Sequence, residues 1–204
     1  MNTRSLLLAL TCLLAFNSHA QANFLFISKA EIREVVGPYP EVGSAGEALD
    51  DSILLEWQDQ RTEAECLAAA KQSNNETLKS FFGDVLTKKE IAYLSVRLLR
   101  VAAIAGINSA RAKSMYKRER PYDRNSDIKP CIETEKSSSY PSGHTTLARL
   151  YGRVLSLRYP SRAEKFMARA DQAALNRVLG GVHHPSDIEA GKRLGDYLAK
   201  KFYK

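Results

Sequence analysis

The sequence predicts an all-α fold, a single helical bundle, on three observations. Apolar residues recur at helical spacing along most of the chain, and strand-like alternation is nearly absent. Three capping boxes, each a serine or threonine followed three residues later by a glutamate, mark helix starts. A length of 204 residues suits one domain able to bury a proper core.

The elements follow in order. Arg4, an uncharged apolar run from Leu6 to Phe16 and small residues at Ser18, Ala20 and Ala22 read as a signal peptide over 1–22, cleaved after Ala20 or Ala22. That leaves a domain over 23–204 and places it in the periplasm or outside the cell. An uncleaved anchor is the alternative, although polar residues from Asn17 to Asn23 interrupt the run early for a membrane span. Val35 to Asp50, which holds Pro38, Pro40, Gly43 and Gly46, reads as an extended lead-in. Thr62 with Glu65 caps the helix of ECLAAAKQ, and Thr87 with Glu90 caps the longest helical pattern in the chain. In that pattern Ile91, Leu94, Leu98, Ala102 and Ala105 share one face, and small residues from Ala102 to Ala112 leave room for a neighbouring helix. It is expected to stop near Arg120, because the residue before Pro121 is pushed out of the helical region. Tyr122 to Tyr140 is a polar loop. Helices resume at about 142–159, 162–179 and 186–203, the last pair separated by GGVHHP and the final one capped by Ser186 with Glu189. The apolar stretch from Val101 to Ala110 is too short to span a membrane.

The net charge is +7, or +6 once Arg4 is removed, which points to anionic partners of some kind and narrows them no further. Cys12 leaves with the signal, so Cys66 and Cys131 are the cysteines of the exported chain. A disulfide between them is expected in an oxidising compartment, with two buried free thiols as the alternative.

Three clusters near helix ends carry chemistry. KSMYKRERP holds Lys113 and Arg120, YPSGH holds Ser142, Gly143 and His144, and NRVLGGVHHPSD holds Arg177, His183 and Asp187. Each residue has a plain structural reading: Ser142 as a helix cap, the basic residues as a solvated face, and Arg177 as a charge at a helix C-terminus. Together, three cations, a hydroxyl and glycine N–H groups can cage a tetrahedral dianion. Lys113 and Arg120, seven residues apart, are expected on one helix face. A neutral histidine in such a cage can attack phosphorus if a carboxylate fixes its tautomer, and a second histidine can protonate the leaving oxygen. His183 with Asp187, and His144, fit those two roles, and Asp187 is expected to raise the basicity of His183.

The order Lys113…Arg120-Pro121, then Pro141-Ser142-Gly143-His144, then Arg177…His183…Asp187 resembles the three-part signature of the type 2 phosphatidic acid phosphatase superfamily. The context SYPSGHT is similar to that of bacterial class A non-specific acid phosphatases. The resemblance runs from about Ser109 to Gly191. It implies a helical fold shared with vanadium haloperoxidases and a phosphohistidine on His183. His144 would be the general acid and Asp187 the partner of His183, with Lys113, Arg120, Ser142, Gly143 and Arg177 holding phosphate. Asn176 stands where the family usually has serine, and His184-Pro185 departs from the acid phosphatase pattern after the nucleophile.

The expected function is a secreted or periplasmic phosphomonoesterase acting on small soluble phosphate esters. No metal or other cofactor is expected, and no nucleic acid partner. A lipid phosphate or isoprenoid diphosphate phosphatase at a membrane surface is the alternative within the superfamily, and a vanadate-dependent haloperoxidase is a third reading. A metal site at His183 and His184 has few further ligands to draw on. A serine hydrolase triad of Ser142, His144 and Asp187 lacks a nucleophile elbow.

Overall fold

The computed structural model describes residues 25–73 and 76–203, so the expected signal over 1–22, with Cys12, lies outside the described residues. Among these residues there are ten α-helices, one 3-10 turn and no strand, as the helical periodicity predicts. The helices are α1 (Lys29–Val36), α2 (Ala45–Gln60), α3 (Glu63–Ser73), α4 (Leu78–Phe82), α5 (Lys88–Arg97), α6 (Leu99–Tyr116), α7 (Pro121–Arg124), α8 (Gly143–Arg158), α9 (Ala163–Leu179) and α10 (Pro185–Phe202).

Two of the three predicted capping boxes form. Glu65 accepts the Thr62 N–H at 2.8 Å while Thr62 Oγ1 accepts the Glu65 N–H at 3.3 Å. Thr87 and Glu90 repeat the exchange at 2.8 and 3.2 Å. The third box is shifted. Pro185 occupies the first helical position, where its fixed φ is preorganised and its missing N–H costs nothing, so His184 becomes the cap and Asp187 accepts its N–H at 2.9 Å. Ser186 instead donates its backbone N–H to Asp50 at 3.0 Å, and Glu189 pairs on the surface with Lys192.

Other boundaries also differ from expectation. The extended lead-in is confined to 37–44, because Ser28 and Ser44 each cap a helix on either side of it. The long central pattern is two helices, broken at Leu98, whose backbone sits at φ −97° and ψ 10°. Nothing in the local residue types marks that break. α6 ends at Tyr116, four residues before the predicted stop, where Lys117 turns left-handed at φ 52°. From there to Pro121 the chain is extended, with Lys117 and Glu119 outward and Arg118 and Arg120 inward. Lys113 and Arg120 therefore do not share a helix face. The extended segment has a consequence a helix would forbid: two arginines two residues apart both point into the protein.

α8 is the central helix, packed between α9 and α10 with α6 against its other side. Leu147, Ala148, Leu150, Tyr151 and Leu155 carry its apolar face into a core shared with α4, α5, α6 and α9. α10 approaches α8 closely because it presents Gly191 and Gly195 to it. A Cβ on Gly191 would lie 2.7 Å from the Ser142 carbonyl oxygen, and one on Gly195 would lie 2.9 Å from that of Thr146. The disulfide expected between Cys66 and Cys131 is present, tying α3 to the loop that follows α7.

Candidate active site

The start of α8, the turn between α9 and α10 and the extended segment after α6 converge at one end of the bundle. Ser142 caps α8, its Oγ accepting from the Thr145 N–H at 3.3 Å and from Thr145 Oγ1 at 3.0 Å. Tyr140 anchors the preceding loop by donating toward the carbonyls of Val36 (2.9 Å), Gly37 (3.1 Å) and Pro38 (3.2 Å). The turn after α9 depends on Gly181, at φ 76°, where a Cβ would also lie 3.1 Å from Pro130 Cα.

His183 and Asp187 are both fully enclosed. His183 Nδ1 lies 3.1 Å from Asp187 Oδ2, and Nε2 lies 3.1 Å from Arg120 Nη1. A guanidinium only donates, so Nε2 must be the acceptor and Nδ1 must carry the proton given to Asp187. The ring is thus neutral, with a lone pair on Nε2. Burial pushes its pKa well below the ordinary histidine value and the Arg120 charge pushes the same way, outweighing Asp187. Asp187 does raise the basicity of His183 as expected, but the net shift is downward, because a buried ring beside an arginine loses more from desolvation and repulsion than one carboxylate returns.

Burial alone would raise the Asp187 carboxyl, but hydrogen bonds from His183 and His184 hold it well below the usual range. Its other oxygen is bound by Arg118 at 2.8 Å, and Ser139 Oγ donates to Oδ2. Arg118 reaches on to Asp50 at 3.0 Å. This buried chain from α2 to the His183 partner was not legible in the sequence, where Arg118 is one basic residue among several.

His144, 4% exposed, has its own carboxylate: Nδ1 lies 2.9 Å from Glu76 Oε1. Nε2 lies 3.4 Å from Gln72 Oε1, and the ring stands edge-on to Phe81 at 4.8 Å. Burial lowers its pKa below the ordinary value, with Glu76 opposing. Neither Glu76 nor Gln72 belongs to a recognisable motif.

The three cations also converge. Lys113 Nζ donates to the Ser138 carbonyl, and burial together with Arg120 pushes its pKa down to about 8. Arg120 binds the carbonyls of Ser137 and Val182, each at 2.8 Å. A residue absent from every motif joins the two arginines. Glu135 Oε2 lies 2.6 Å from Arg120 Nη2, and its Oε1 lies 2.6 Å from Arg177 Nη2. Burial opposes its ionisation, but the charges of Arg120, Arg177 and Lys113 hold the carboxyl at about 2. It spans the arginines as an anion would. A cavity of about 320 Å³ opens beside it, with Lys113, Gly143, His144 and His183 in its wall. Ala102, Gly106 and Ala110 of α6 form an apolar side of this cavity with Leu147, while Ala105 and Ala112 pack into the core where α6 meets α8, the helix approach expected of these small residues. Every predicted site residue except Ser142, which is enclosed beneath its own cap, faces this cavity or binds a residue that does.

Residues 94–204 match the PAP2 superfamily, a span that contains all three motifs. The chain belongs to this superfamily. Relatives include the non-specific acid phosphatase of Salmonella typhi, 38% identical over 91 residues that cover 43% of this chain and 36% of the relative. That of Providencia stuartii is 29% identical over 168 residues, covering 76% of this chain and 67% of the relative. The chain thus aligns with about a third of the Salmonella protein's length. Among solved structures, a bacterial vanadium-dependent iodoperoxidase superposes with a TM-score of 0.60 at 18% identity, covering 81% of this chain and 51% of that one. The all-α fold expected from the resemblance is therefore that of this PAP2 domain.

Proposed function

We propose that this chain is an exported, metal-independent acid phosphatase that hydrolyses small soluble phosphate esters through a phosphohistidine on His183. The observation that carries the reading is the His183 ring, neutral, its proton fixed on Nδ1 by Asp187 and its Nε2 lone pair beside Arg120. Nε2 attacks phosphorus as the P–O bond to the leaving group breaks, and His144 gives the departing oxygen a proton. Water, deprotonated by His144, then attacks the phosphohistidine and releases phosphate. Lys113, Arg120, Arg177 and the N–H of Gly143 stabilise charge on the phosphoryl oxygens, with Glu135 displaced from the arginines. These side chains supply the positive charge that a metal would otherwise bring. The disulfide supports an oxidising compartment.

The test is an acid quench during turnover of nitrophenyl phosphate, followed by mass spectrometry of the modified peptide. Phosphate is expected on His183 and absent from His183→Ala. His144→Ala should still trap phosphate from this substrate, whose leaving group departs unprotonated, and should lose roughly 10²–10⁴-fold on an alkyl phosphate. Phosphate on another residue, or equal losses on both substrates, would refute the assignment.

The apolar side of the cavity favours a second reading, a lipid phosphate or isoprenoid diphosphate phosphatase at a membrane face. No helix among the described residues is long and apolar enough to cross a membrane. A panel of sugar, nucleotide and aryl phosphates against phosphatidate and an isoprenyl diphosphate separates the readings by kcat/KM.

A further inference from the structure

We infer that Ser109, outside the three motifs, is a further phosphate contact whose hydroxyl donates to a phosphoryl oxygen seated between Gly143 and Lys113. The inference rests on the phosphatase reading above and adds a substrate contact to it. Ser109 lies on α6 one turn before Lys113, so the two share a helix face. It is 4% exposed and forms part of the cavity wall with Lys113, Gly143, His144 and His183. A Cβ placed on Gly143 would lie 3.5 Å from Ser109 Cβ, 3.8 Å from its Oγ and 3.9 Å from Lys113 Cε. The hydroxyl, the lysine and the first residue of α8 therefore enclose one corner of the cavity.

Ser109 Oγ is buried and has no hydrogen-bond partner. Helical serines ordinarily bond back to a carbonyl of the preceding turn, as Ser95 does to Ile91, Ser114 to Arg111 and Ser156 to Gly152. Ser109 makes no such bond. A buried hydroxyl without a partner is uncommon and costly, and a ligand that accepts from it removes the cost. The motif serine does not fill this corner, because Ser142 Oγ is fully enclosed and already accepts twice from Thr145. A phosphoryl oxygen is the acceptor that fits. It would take a charge from Lys113, the unpaired N–H of the first helical residue, Gly143, and the serine hydroxyl as a neutral third donor.

The test compares wild type and Ser109→Ala by calorimetric titration with inorganic phosphate, by vanadate inhibition of nitrophenyl phosphate turnover, and by Tm. Phosphate has no leaving group, so weakened binding locates the contact on the phosphoryl oxygens. Phosphate and vanadate are expected to bind about tenfold or more weakly, in keeping with loss of a hydrogen bond to a charged acceptor. The Tm should stay level or rise, because alanine removes an unsatisfied buried hydroxyl. Ser109→Cys, close in size and a poor donor, should show the same loss. Undiminished phosphate binding by Ser109→Ala, or a loss accompanied by a matching fall in Tm, overturns the inference alone. A wild-type protein that neither binds phosphate nor turns over any ester overturns the phosphatase reading as well.

Discussion

A nucleophilic histidine must be neutral while its partner is protonated, so the nucleophile should have the lower pKa of the two. Burial and Arg120 place His183 well below the ordinary value of 6.5, and burial lowers His144 too, with Glu76 opposing. The productive pair of charge states is then the prevailing one between the two pKa values rather than a minor form. Both values lie under 6.5, so the bell in kcat/KM should be centred on the acid side of 6.5. Its acid limb reports protonation of His183 and its alkaline limb loss of the proton from His144. Lys113, ionised below about 8, should deepen the fall on the alkaline side. A pH series of kcat/KM checks this, and a rate still climbing from pH 7 to 9 would contradict it. Removing the His144 partner with Glu76→Gln should move the alkaline limb to lower pH, because the carboxylate is what favours the charged ring.

At the scale of the elements, the glycines of α10 set how near His183 and Asp187 come to His144. On Gly191→Ala the new Cβ would lie 2.7 Å from the Ser142 carbonyl, which forces the start of α10 away from the start of α8. Gly195→Ala would meet Thr146 and Arg149 at 2.9 and 2.7 Å, one turn further from the site. Both should lose about 1–3 kcal/mol to overpacking. Gly191→Ala should in addition lose on the order of 10²-fold in kcat, since displacement of about an ångström at reacting groups costs that much. Melting curves and turnover on both variants check it, and equal kcat losses would remove the positional argument. Elements of this kind were partly legible in advance. Threonine boxes and the Ser142 cap announce helix starts through local hydrogen bonds, and the motif residues meet because each motif sits at a helix end. The Leu98 break, the left-handed Lys117 and the partners Glu76, Arg118 and Glu135 were not legible. They are fixed by contacts between residues far apart in sequence, and a carboxylate in ETEK looks like any surface glutamate until two arginines close on it.

At the scale of the molecule, the superfamily match begins at residue 94, yet the preceding half supplies partners to the site. Asp50 holds Arg118, Ser73 accepts from Arg177 at 2.7 Å, and Gln72 and Glu76 flank His144. The Cys66–Cys131 disulfide joins α3, which carries Gln72 and Ser73, to the loop that carries Glu135, Ser137 and Ser138. Cys131 is itself paired to the turn before His183, its N–H bonding the Gly180 carbonyl at 3.1 Å. The crosslink therefore constrains both walls of the cavity. A closed loop with a sequence separation of 65 residues should contribute about 4 kcal/mol through chain entropy. Reduction, or the double variant Cys66→Ser with Cys131→Ser, should lower the unfolding free energy by an amount of that order, read as a clear fall in Tm. It should also weaken phosphate binding, because Ser138 and Ser137 hold Lys113 and Arg120 from the same loop. Added phosphate should recover part of the lost Tm, since a ligand that binds only the folded cage stabilises it by mass action. Calorimetry of the oxidised and reduced proteins with and without phosphate checks the coupling. A reduced protein that melts lower yet binds phosphate with unchanged affinity would show that the crosslink serves stability alone and leaves the cage untouched.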